Sequence, residues 1–543
     1  MDTTSPWLFE ASWEVCHKVG GIHTVIISKL PSVLAEYGDA YLSIGPWLAE
    51  PQFEFKEESL AGPWLAVSSQ LQSQGVTLHL GRWQVPGEPR AVLLDWQGLV
   101  PELTNFKIRF WEQYGLDTLG TDFYDFDTPL LWGIAVGMFT ELFLKENSVK
   151  VTLQLHEWLS AATLAYLPKG NSQLRTIFTT HATVLGRSLA GRGVAIYDQM
   201  QQIDPLVAAK ECGVTAKHQL EVLGAGLADA FTTVSDLTAE EATHFLGRHP
   251  NVITENGLAL HELPLLLENR VTASLVRQEL EQIVTDLFAS DYQFDASRAL
   301  WQCTTGRFEL HNKGYDLYLR SLAELNEQLK ARHSTQSVVA LLLIATGNHG
   351  IRPEALTGRL LRQTGQPEKI LQLFTTGATL SPFLTAADDP IVQLALNLGL
   401  RNRQEDRVKV IYLPGYFDGL DGFLNIPLYD LISACDLGVF PSAYEPWGYT
   451  PLECIALGVP AITSDLAGFG QAVRQATAGV SVLARRGIED ATASLTALLE
   501  AALKQTPREL EMQRIAAYGV SQQFGWGRLY ENYRTAYQQA WQR

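Results

Sequence analysis

Two series of short apolar runs, each followed by a helical pattern, constrain the fold of this 543-residue chain most strongly. The runs are 7–15, 151–155, 175–179 and 230–234 in the first series, and 300–303, 338–344, 408–413 and 437–440 in the second. Strands that alternate with helices are typical of parallel sheets with helices on both faces. Because the pattern starts again and the chain exceeds what one hydrophobic core usually serves, we predict two doubly wound α/β domains.

The boundary between the domains is predicted near residue 295, which gives an N-terminal domain over 1–295 and a C-terminal domain over 296–525. A polar, helical excursion over 351–401 has no place in the doubly wound pattern, so we expect an insertion in the second domain. The last segment, 526–543, has the apolar spacing of a helix.

The segment 444–453, which reads Y-E-P-W-G-Y-T-P-L-E, sets Glu445 and Glu453 around a turn that opens a helix. Pro451 favours the first helical turn, which would contain Glu453 and leave Glu445 in the loop. Ligands of open α/β sheets bind beyond the carboxyl ends of strands, where free amides at a helix start can face a phosphate. The amides in question are those of Gly448, Tyr449 and Thr450. This layout predicts a sugar-nucleotide site.

A second candidate phosphate site lies near the N-terminus, in the segment 13–25 with the sequence W-E-V-C-H-K-V-G-G-I-H-T-V. Gly20 and Gly21 form a turn before a predicted helix over 22–37, and Lys18 precedes them. The helix start and the lysine suit a phosphate. A tight strand-to-helix connection is an equally common use of glycine, so the residues alone leave both interpretations open.

Two further loops carry cations. The segment 306–314, G-R-F-E-L-H-N-K-G, contains Arg307 and Lys313, which suit a diphosphate leaving group that gains negative charge. The segment 179–187, T-T-H-A-T-V-L-G-R, places His181 and Arg187 in a loop where Gly186 allows close backbone approach. Solvated cations at a helix start and a structural histidine remain open alternatives from spacing alone.

In the order in which they follow one another along the chain, the four motifs resemble those of retaining GT-B glycosyltransferases, and more specifically those of the glycogen synthases of the fungal and animal type. The resemblance implies two Rossmann-like domains facing a central cleft, and transfer of glucose from UDP-glucose to the non-reducing end of an α-1,4-glucan such as glycogen. It also implies retention of configuration and no cofactor besides this substrate. The inserted helical arm implies a homo-oligomer, with a tetramer as one option, and the last helix would cross back to the first domain.

The resemblance also implies roles for single residues. Glu445 would face the sugar hydroxyls and the developing positive charge, and Glu453 the ribose. His181 would contact the donor glucose, and Arg187 would lie near its phosphates. His156 and Glu157 resemble an H-E-W element of the family, although a glutamate at a helix start is also an ordinary structural feature.

The composition excludes several classes of protein. With 59 acidic and 41 basic residues, the net charge of −18 argues against nucleic acid and anionic membranes as partners. Five cysteines without C-x-x-C spacing favour neither a disulfide framework nor a zinc site, and they fit a reducing cytoplasm. The longest apolar run, 130–139, is far shorter than the roughly 20 residues of a membrane span and is predicted to be a buried helix.

Metal and regulatory sites are not expected. Asp125 and Asp127 match the D-x-D pattern of metal-dependent transferases, but they precede an apolar helix and are interpreted as helix-start acids. The region 503–516 contains only three basic residues among acidic ones, whereas the family carries a dense arginine cluster that binds glucose 6-phosphate. Alternative functions are a retaining transferase that uses ADP-glucose or a small sugar acceptor, and a noncatalytic glucan-binding homologue.

Overall fold

The structure is a computed structural model that describes residues 6–48, 53–289, 292–363 and 380–542. Contacts between Cα atoms divide the chain into two compact units. The first comprises Met1–Ala259 together with Phe524–Arg543, and the second comprises Leu260–Gln523. Each unit is built on its own β-sheet.

The sheet of the first unit contains nine strands among the described residues, in the order β3-β4-β5-β2-β1-β6-β7-β8-β9. Strands β4 and β5 pair antiparallel, as do β3 and β4, and the remaining neighbours are parallel. The antiparallel edge is an addition to the predicted parallel sheet. The strands are β1 (Trp7–Ala11), β2 (Tyr41–Pro46), β3 (Phe55–Glu57), β4 (Thr77–Trp83), β5 (Arg90–Asp95), β6 (Val151–His156), β7 (Leu174–Thr180), β8 (Ala230–Thr233) and β9 (Val252–Ile253).

Helices cover this sheet. The predicted buried helix over 130–139 is confirmed as the central part of α4, whose residues from Pro129 to Thr140 are all buried. The helices of the first unit are α1 (Gly21–Tyr37), α2 (Pro63–Ser73), α3 (Leu103–Tyr114), α4 (Thr128–Asn147), α5 (Glu157–Ser160), α6 (Ala162–Tyr166), α7 (Val184–Gly191), α8 (Ile196–Gln199), α9 (Pro205–Cys212), α10 (Thr215–Leu227) and α11 (Asp236–Phe245).

The sheet of the second unit has the order β12-β11-β10-β13-β14-β15, and all of its described strand pairs are parallel. Its strands are β10 (Ala299–Arg307), β11 (Ser337–Ala345), β12 (Val408–Pro414), β13 (Leu437–Val439), β14 (Ala461–Ser464) and β15 (Val480–Leu483). Its helices are α12 (Leu266–Phe288), α13 (Tyr315–Ala331), α14 (Pro353–Gln363), α15 (Pro390–Asn397), α16 (Leu428–Ser433), α17 (Tyr449–Ala456), α18 (Gly468–Ala472), α19 (Thr492–Leu503) and α20 (Pro507–Ser521).

The units divide between Ala259 and Leu260, whereas the sequence indicated a boundary near residue 295. The difference is helix α12, which precedes the first strand of the second sheet but packs within the second unit. Asn269 of α12 donates hydrogen bonds to the Ser433 hydroxyl and the Leu457 carbonyl, at 3.0 and 2.7 Å. The strand pattern alone does not reveal such tertiary contacts.

The chain returns to the first unit at its end through helix α21 (Trp526–Gln542). The Trp526 indole donates to Ser28 of α1 at 2.8 Å, and the Tyr537 hydroxyl donates to Gln154 of β6 at 2.6 Å. Within the predicted insertion over 351–401 the structure describes α14 and α15, while residues 364–379 lie outside the described part.

Candidate active-site residues

The carboxyl ends of two adjacent strands in the second unit carry the cation and carboxylate motifs. Strand β10 ends at Arg307, and β13, which pairs with it in parallel, ends at Val439. Because carboxyl ends of parallel strands meet at one edge of a sheet, the loops that follow lie side by side.

Backbone contacts hold these two loops together. The Asn312 carbonyl accepts hydrogen bonds from the amides of Ala443 and Tyr444, at 2.9 and 3.2 Å. Gly314 adopts a φ of +73°, and a Cβ atom there would lie 2.0 Å from the carbonyl oxygen of Pro441. Glycine is therefore required at this position both by the left-handed backbone and by the close approach of the second loop.

The approach of the loops brings Lys313 and Glu445 into an ion pair whose side chains are largely buried. Arg307, in contrast, keeps 59% of its side chain exposed and pairs with Glu309 at 2.9 Å. The Tyr315 hydroxyl donates to the Arg307 carbonyl at 3.1 Å, which ties the end of β10 to the start of α13. One edge of the second sheet thus carries two cations and the Glu445 carboxylate.

The turn after Glu445 leads into α17. Gly448 adopts a φ of +116°, and the helix begins at Tyr449, with Thr450 in its first turn. The prediction that Glu453 lies in the first turn is therefore wrong, because the helix begins two residues before Pro451. Glu453 lies one turn further along and accepts a hydrogen bond from the Tyr429 hydroxyl at 2.9 Å. Burial and the Glu453 charge raise the pKa of Tyr429, so the phenol remains a donor.

In the first unit, the loop that follows β7 carries His181. The amides of His181 and Ala182 donate to Glu157 Oε1, at 2.9 and 3.2 Å. Glu157 follows β6 directly and adopts a φ of +64°, a strained conformation for a residue with a side chain. The two loops at the ends of β6 and β7 are thereby fixed to each other.

Arg187 lies in helix α7 and is exposed, so the prediction that it lies in the loop is wrong. The helix starts early because Thr183 caps it, accepting a hydrogen bond from the Gly186 amide at 2.9 Å. A Cβ atom at Gly186 would lie 2.1 Å from Glu241 Oε2, so the close approach that requires this glycine is to Glu241. The Arg187 charge lies near enough to Glu157 to act on its pKa.

His181 belongs to a buried polar cluster that sequence reasoning missed in part. Its Nε2 lies 2.9 Å from Nδ1 of His156, whose Nε2 lies 2.8 Å from Glu10 Oε1. Lys29 donates to the same Glu10 oxygen at 2.6 Å, and the Tyr41 hydroxyl donates to the other at 2.7 Å. The sequence did contain a signal for this cluster. Glu10 is a charged residue within the apolar strand W-L-F-E-A, and Lys29 is a charged residue within the apolar part of helix α1.

The Gly20–Gly21 turn has a carboxylate at its amides. Glu14 Oε2 accepts hydrogen bonds from the amides of Gly20 and His23, at 2.8 and 2.9 Å. Glu14 therefore occupies two of the amide donors that a phosphate at this turn would use, while Lys18 is exposed. Burial, and to a smaller extent the Glu14 charge, raises the pKa of Glu157, whose carboxylate accepts the amide hydrogen bonds of the His181 loop.

The two D-x-D aspartates each pair with a lysine. Asp125 pairs with Lys217 at 2.5 Å, and Asp127 pairs with Lys107 at 2.7 Å. Among the residues that the structure describes, no group of three or more His, Cys, Asp or Glu side chains is arranged to hold a metal ion.

We expect Glu157→Gln to change the pH dependence of stability. Burial raises the pKa of Glu157 to about 7, against the lowering effects of Arg187 and the two amide hydrogen bonds. The folded chain therefore binds the Glu157 proton more tightly than the unfolded chain does. This proton binding stabilises the fold fully below the ordinary pKa of about 4.5. The stabilisation is lost as the pH rises through about 7.

Glutamine keeps the acceptor for both amides without the charge. By calorimetry, the melting temperature of Glu157→Gln relative to wild type should therefore rise by a few degrees between pH 5 and pH 8. Replacement of the exposed Glu112 of α3 by glutamine is the control. An equal difference at both pH values would contradict the assignment.

Comparison with known proteins places this chain. The family model for glycogen synthase matches residues 10–370 and 375–543. The liver glycogen (starch) synthase of Mus musculus is 31% identical over 97% of this chain and 82% of its own length. The glycogen (starch) synthase of Neurospora crassa is 31% identical over 99% of this chain and 84% of its own.

Solved structures confirm the GT-B fold class. The catalytic domain of starch synthase IV from Arabidopsis thaliana, bound to ADP and acarbose, matches with a TM-score of 0.56 over 99% of this chain and 100% of that chain, at 14% identity. A trehalose-6-phosphate protein of E. coli bound with UDP-2-fluoro glucose matches with a TM-score of 0.54 over 98% and 99%, at 12% identity. The family model and the curated relatives together show that the chain belongs to the glycogen synthase family.

Proposed function

We propose that this chain transfers glucose from UDP-glucose to the non-reducing end of an α-1,4-glucan such as glycogen, with retention of configuration. Membership of the glycogen synthase family supports the reaction. The observation that carries the proposal is the Lys313–Glu445 ion pair beside Arg307, at the carboxyl edge of the second sheet. Cations stabilise the charge of a departing diphosphate, and a carboxylate is a suitable hydrogen-bond acceptor for sugar hydroxyls.

In this proposal Arg307 and Lys313 absorb the charge of the departing diphosphate. A unit charge about 4 Å from a phosphate oxygen gains about 4 kcal/mol of gross Coulomb energy at an effective dielectric constant near 20, before desolvation is subtracted. The amides at the start of α17, from Gly448 to Thr450, add dipoles of the same sign. Glu445 faces the positive charge that develops at the anomeric carbon. In the unliganded chain, Lys313 pairs with the Glu445 carboxylate and screens its charge.

The remaining residues receive supporting roles. Glu453, oriented by Tyr429, would accept hydrogen bonds from the ribose hydroxyls. The family resemblance assigns His181 to the sugar and Arg187 to the phosphates. For the Gly20–Gly21 turn, the Lys18 ammonium is the favoured contact to an anion, since Glu14 already accepts hydrogen bonds from the amides of Gly20 and His23.

Incorporation of radiolabelled glucose into glycogen tests the proposal. Reactions with UDP-glucose and ADP-glucose, each with and without glycogen, should show transfer that requires UDP-glucose and a glucan. Preference for ADP-glucose would favour the other retaining transferases, and no transfer from either donor would favour a noncatalytic homologue. Glu445→Ala and Arg307→Ala are the site controls, and full activity in both would refute the assigned residues. Product analysis by NMR should give the retained anomer.

We expect a chelator to leave turnover unchanged. The Asp125 and Asp127 carboxylates are engaged by lysines, and the proposed chemistry relies on Arg307 and Lys313 for charge. Initial rates with and without excess EDTA measure this directly. Loss of activity that an added divalent ion restores would contradict the expectation.

Glucose 6-phosphate should activate the enzyme weakly or not at all. In the described structure Lys504 pairs with Glu500 at 2.9 Å, and Arg514 is largely buried against Asp436 at 2.9 Å. These side chains neutralise acids of the protein itself, so they form a poor polyanion site. Turnover at subsaturating UDP-glucose, with and without glucose 6-phosphate, is the measurement, and a large activation would contradict the prediction.

A homo-oligomer is also proposed, with a tetramer as one option. Helices α12 and α14 are linked by Arg359 and Glu279 at 2.8 Å, and α12 exposes Leu267, Val271 and Leu275 along one face. Light scattering of the purified chain measures its mass.

In the described residues no helix combines the length and the apolar character needed to cross a bilayer. A cytoplasmic location is proposed because the five cysteines are free, which fits a reducing compartment.

A further inference from the structure

The cluster behind His181 fixes the direction of its hydrogen bonds. Glu10 Oε1 accepts from Lys29 and contacts Nε2 of His156, and Oε2 accepts from Tyr41. These side chains are fully buried or nearly so. A carboxylate can only accept hydrogen bonds, so Nε2 of His156 must carry the proton that points at Glu10.

The charge states support this assignment. Burial opposes ionisation of Glu10, but the Lys29 ammonium and the His156 hydrogen bond outweigh it and hold the pKa of Glu10 below its ordinary value. Burial lowers the pKa of His156 and lowers the pKa of His181 well below its ordinary value, so both rings are neutral at pH 7. A neutral ring has one donor and one acceptor.

The order of donors and acceptors then follows along the cluster. His156 donates from Nε2, so its Nδ1 is an acceptor. The neighbouring atom, Nε2 of His181 at 2.9 Å, must donate to it. The remaining ring nitrogen of His181, Nδ1, is left with a lone pair, and no described residue forms a hydrogen bond with it.

We propose that Glu10, held by Lys29, is a positioning residue that fixes His181 through His156 in the Nε2–H tautomer, so that Nδ1 of His181 accepts a hydroxyl of the donor sugar. The inference rests on the proposed function only in assigning His181 to that sugar. Helix α21 contributes as well, because the Tyr533 ring lies 4.1 Å from Lys29 Nζ and supports the ammonium by a cation–π contact.

The first test reads the tautomer without any activity. The chain is labelled with ¹³C- and ¹⁵N-histidine, and the ring signals of His181 are identified by their loss in His181→Gln. We expect a protonated Nε2 and an unprotonated Nδ1. A proton on Nδ1 of His181 in the wild-type chain would overturn the proposal whatever the enzyme does. The predicted tautomer in a chain that does not use UDP-glucose would support the relay and refute only the proposed donor.

The second test breaks the relay. Glu10→Gln alone would leave the buried ammonium unpaired, so it is combined with Lys29→Met, which keeps the volume and removes both charges. The glutamine amide can donate as well as accept, so His156 and His181 lose their fixed tautomers. Turnover should fall by on the order of 10- to 100-fold, by analogy with residues that orient ligands or catalytic histidines elsewhere.

A panel of monodeoxy UDP-glucose donors separates positioning from general damage. For the one donor that lacks the hydroxyl bound by His181, the wild type and the double variant should react at nearly equal rates. With each of the other donors, the double variant should remain slower than the wild type. An equal deficit for every donor would overturn the proposal. His156→Phe, which leaves Glu10 and Lys29 paired, is the second variant and should show the same selectivity. His218→Phe, at another buried histidine of the first unit, is the control.

Discussion

Lys313→Met should lower the turnover of glucosyl transfer by on the order of 10² to 10³, the loss typical of removing one preorganised donor from an oxyanion site. Methionine keeps most of the side-chain volume and removes the charge that pairs with Glu445. Two effects add, because the leaving diphosphate loses a cation and the Glu445 carboxylate is left largely buried without its partner. The measurement is kcat and KM for UDP-glucose with glycogen as acceptor.

The matched control is Lys330→Met on α13. Lys330 also forms ion pairs, with Glu327 at 2.9 Å and Asp406 at 3.6 Å, but it lies at the other end of the helix from Lys313. Its replacement should leave kcat close to that of wild type, since Lys330 lies in the last turn of α13, away from the proposed diphosphate contacts. Equal kcat values for the two variants would remove Lys313 from the reaction.

Gly314→Ala should damage both stability and turnover. The left-handed φ of +73° costs a residue with a side chain roughly 1 to 2 kcal/mol, and the contact of 2.0 Å with the Pro441 carbonyl adds about 1 to 3 kcal/mol of overpacking. Relief of the clash moves the two loops apart and separates Lys313 from Glu445. A displacement of about 1 Å can cost on the order of 10² in rate.

Gly399→Ala is the control that measures the conformational cost alone, so the difference between the two variants gives the steric part of the effect. Gly399 has a φ of +80°, and a Cβ atom there meets nothing within 4 Å. Thermal unfolding should show that Gly399→Ala loses only the stability that corresponds to the conformational cost of the left-handed φ, while its turnover stays near that of wild type. If Gly314→Ala were no worse than Gly399→Ala in both assays, the close approach of the two loops would not position the site.

The sequence predicted the regular parts of the fold because apolar periodicity is a local property. Helix α1 and strands β6, β11 and β12 lie within one or two residues of their predicted bounds. The exact start of a helix depends on contacts with residues that are distant in the sequence. Thr238 and Glu241 have capping-box spacing, yet Ser235 caps α11, and Glu241 instead accepts a hydrogen bond from Thr183 at 2.7 Å.

The residues of the candidate site were likewise predicted from the sequence only in part. Motif residues such as Lys313 and Glu445 were predicted, and their ion pair follows from two adjacent parallel strands. Glu14, Glu10 and Tyr429 were missed as site components, because each acts through a partner distant in the sequence or through backbone amides. Spacing does not encode such partners, whereas a charge within an apolar strand was a usable signal for Glu10.

A crystal structure of the chain with bound UDP tests the central claim most directly, namely that Arg307 and Lys313 hold the diphosphate at the carboxyl edge of the second sheet. We predict phosphate oxygens about 2.7 to 3.2 Å from Lys313 Nζ and from the Arg307 guanidinium. A diphosphate bound elsewhere, with Lys313 paired only with Glu445 and Arg307 only with Glu309, would contradict the account.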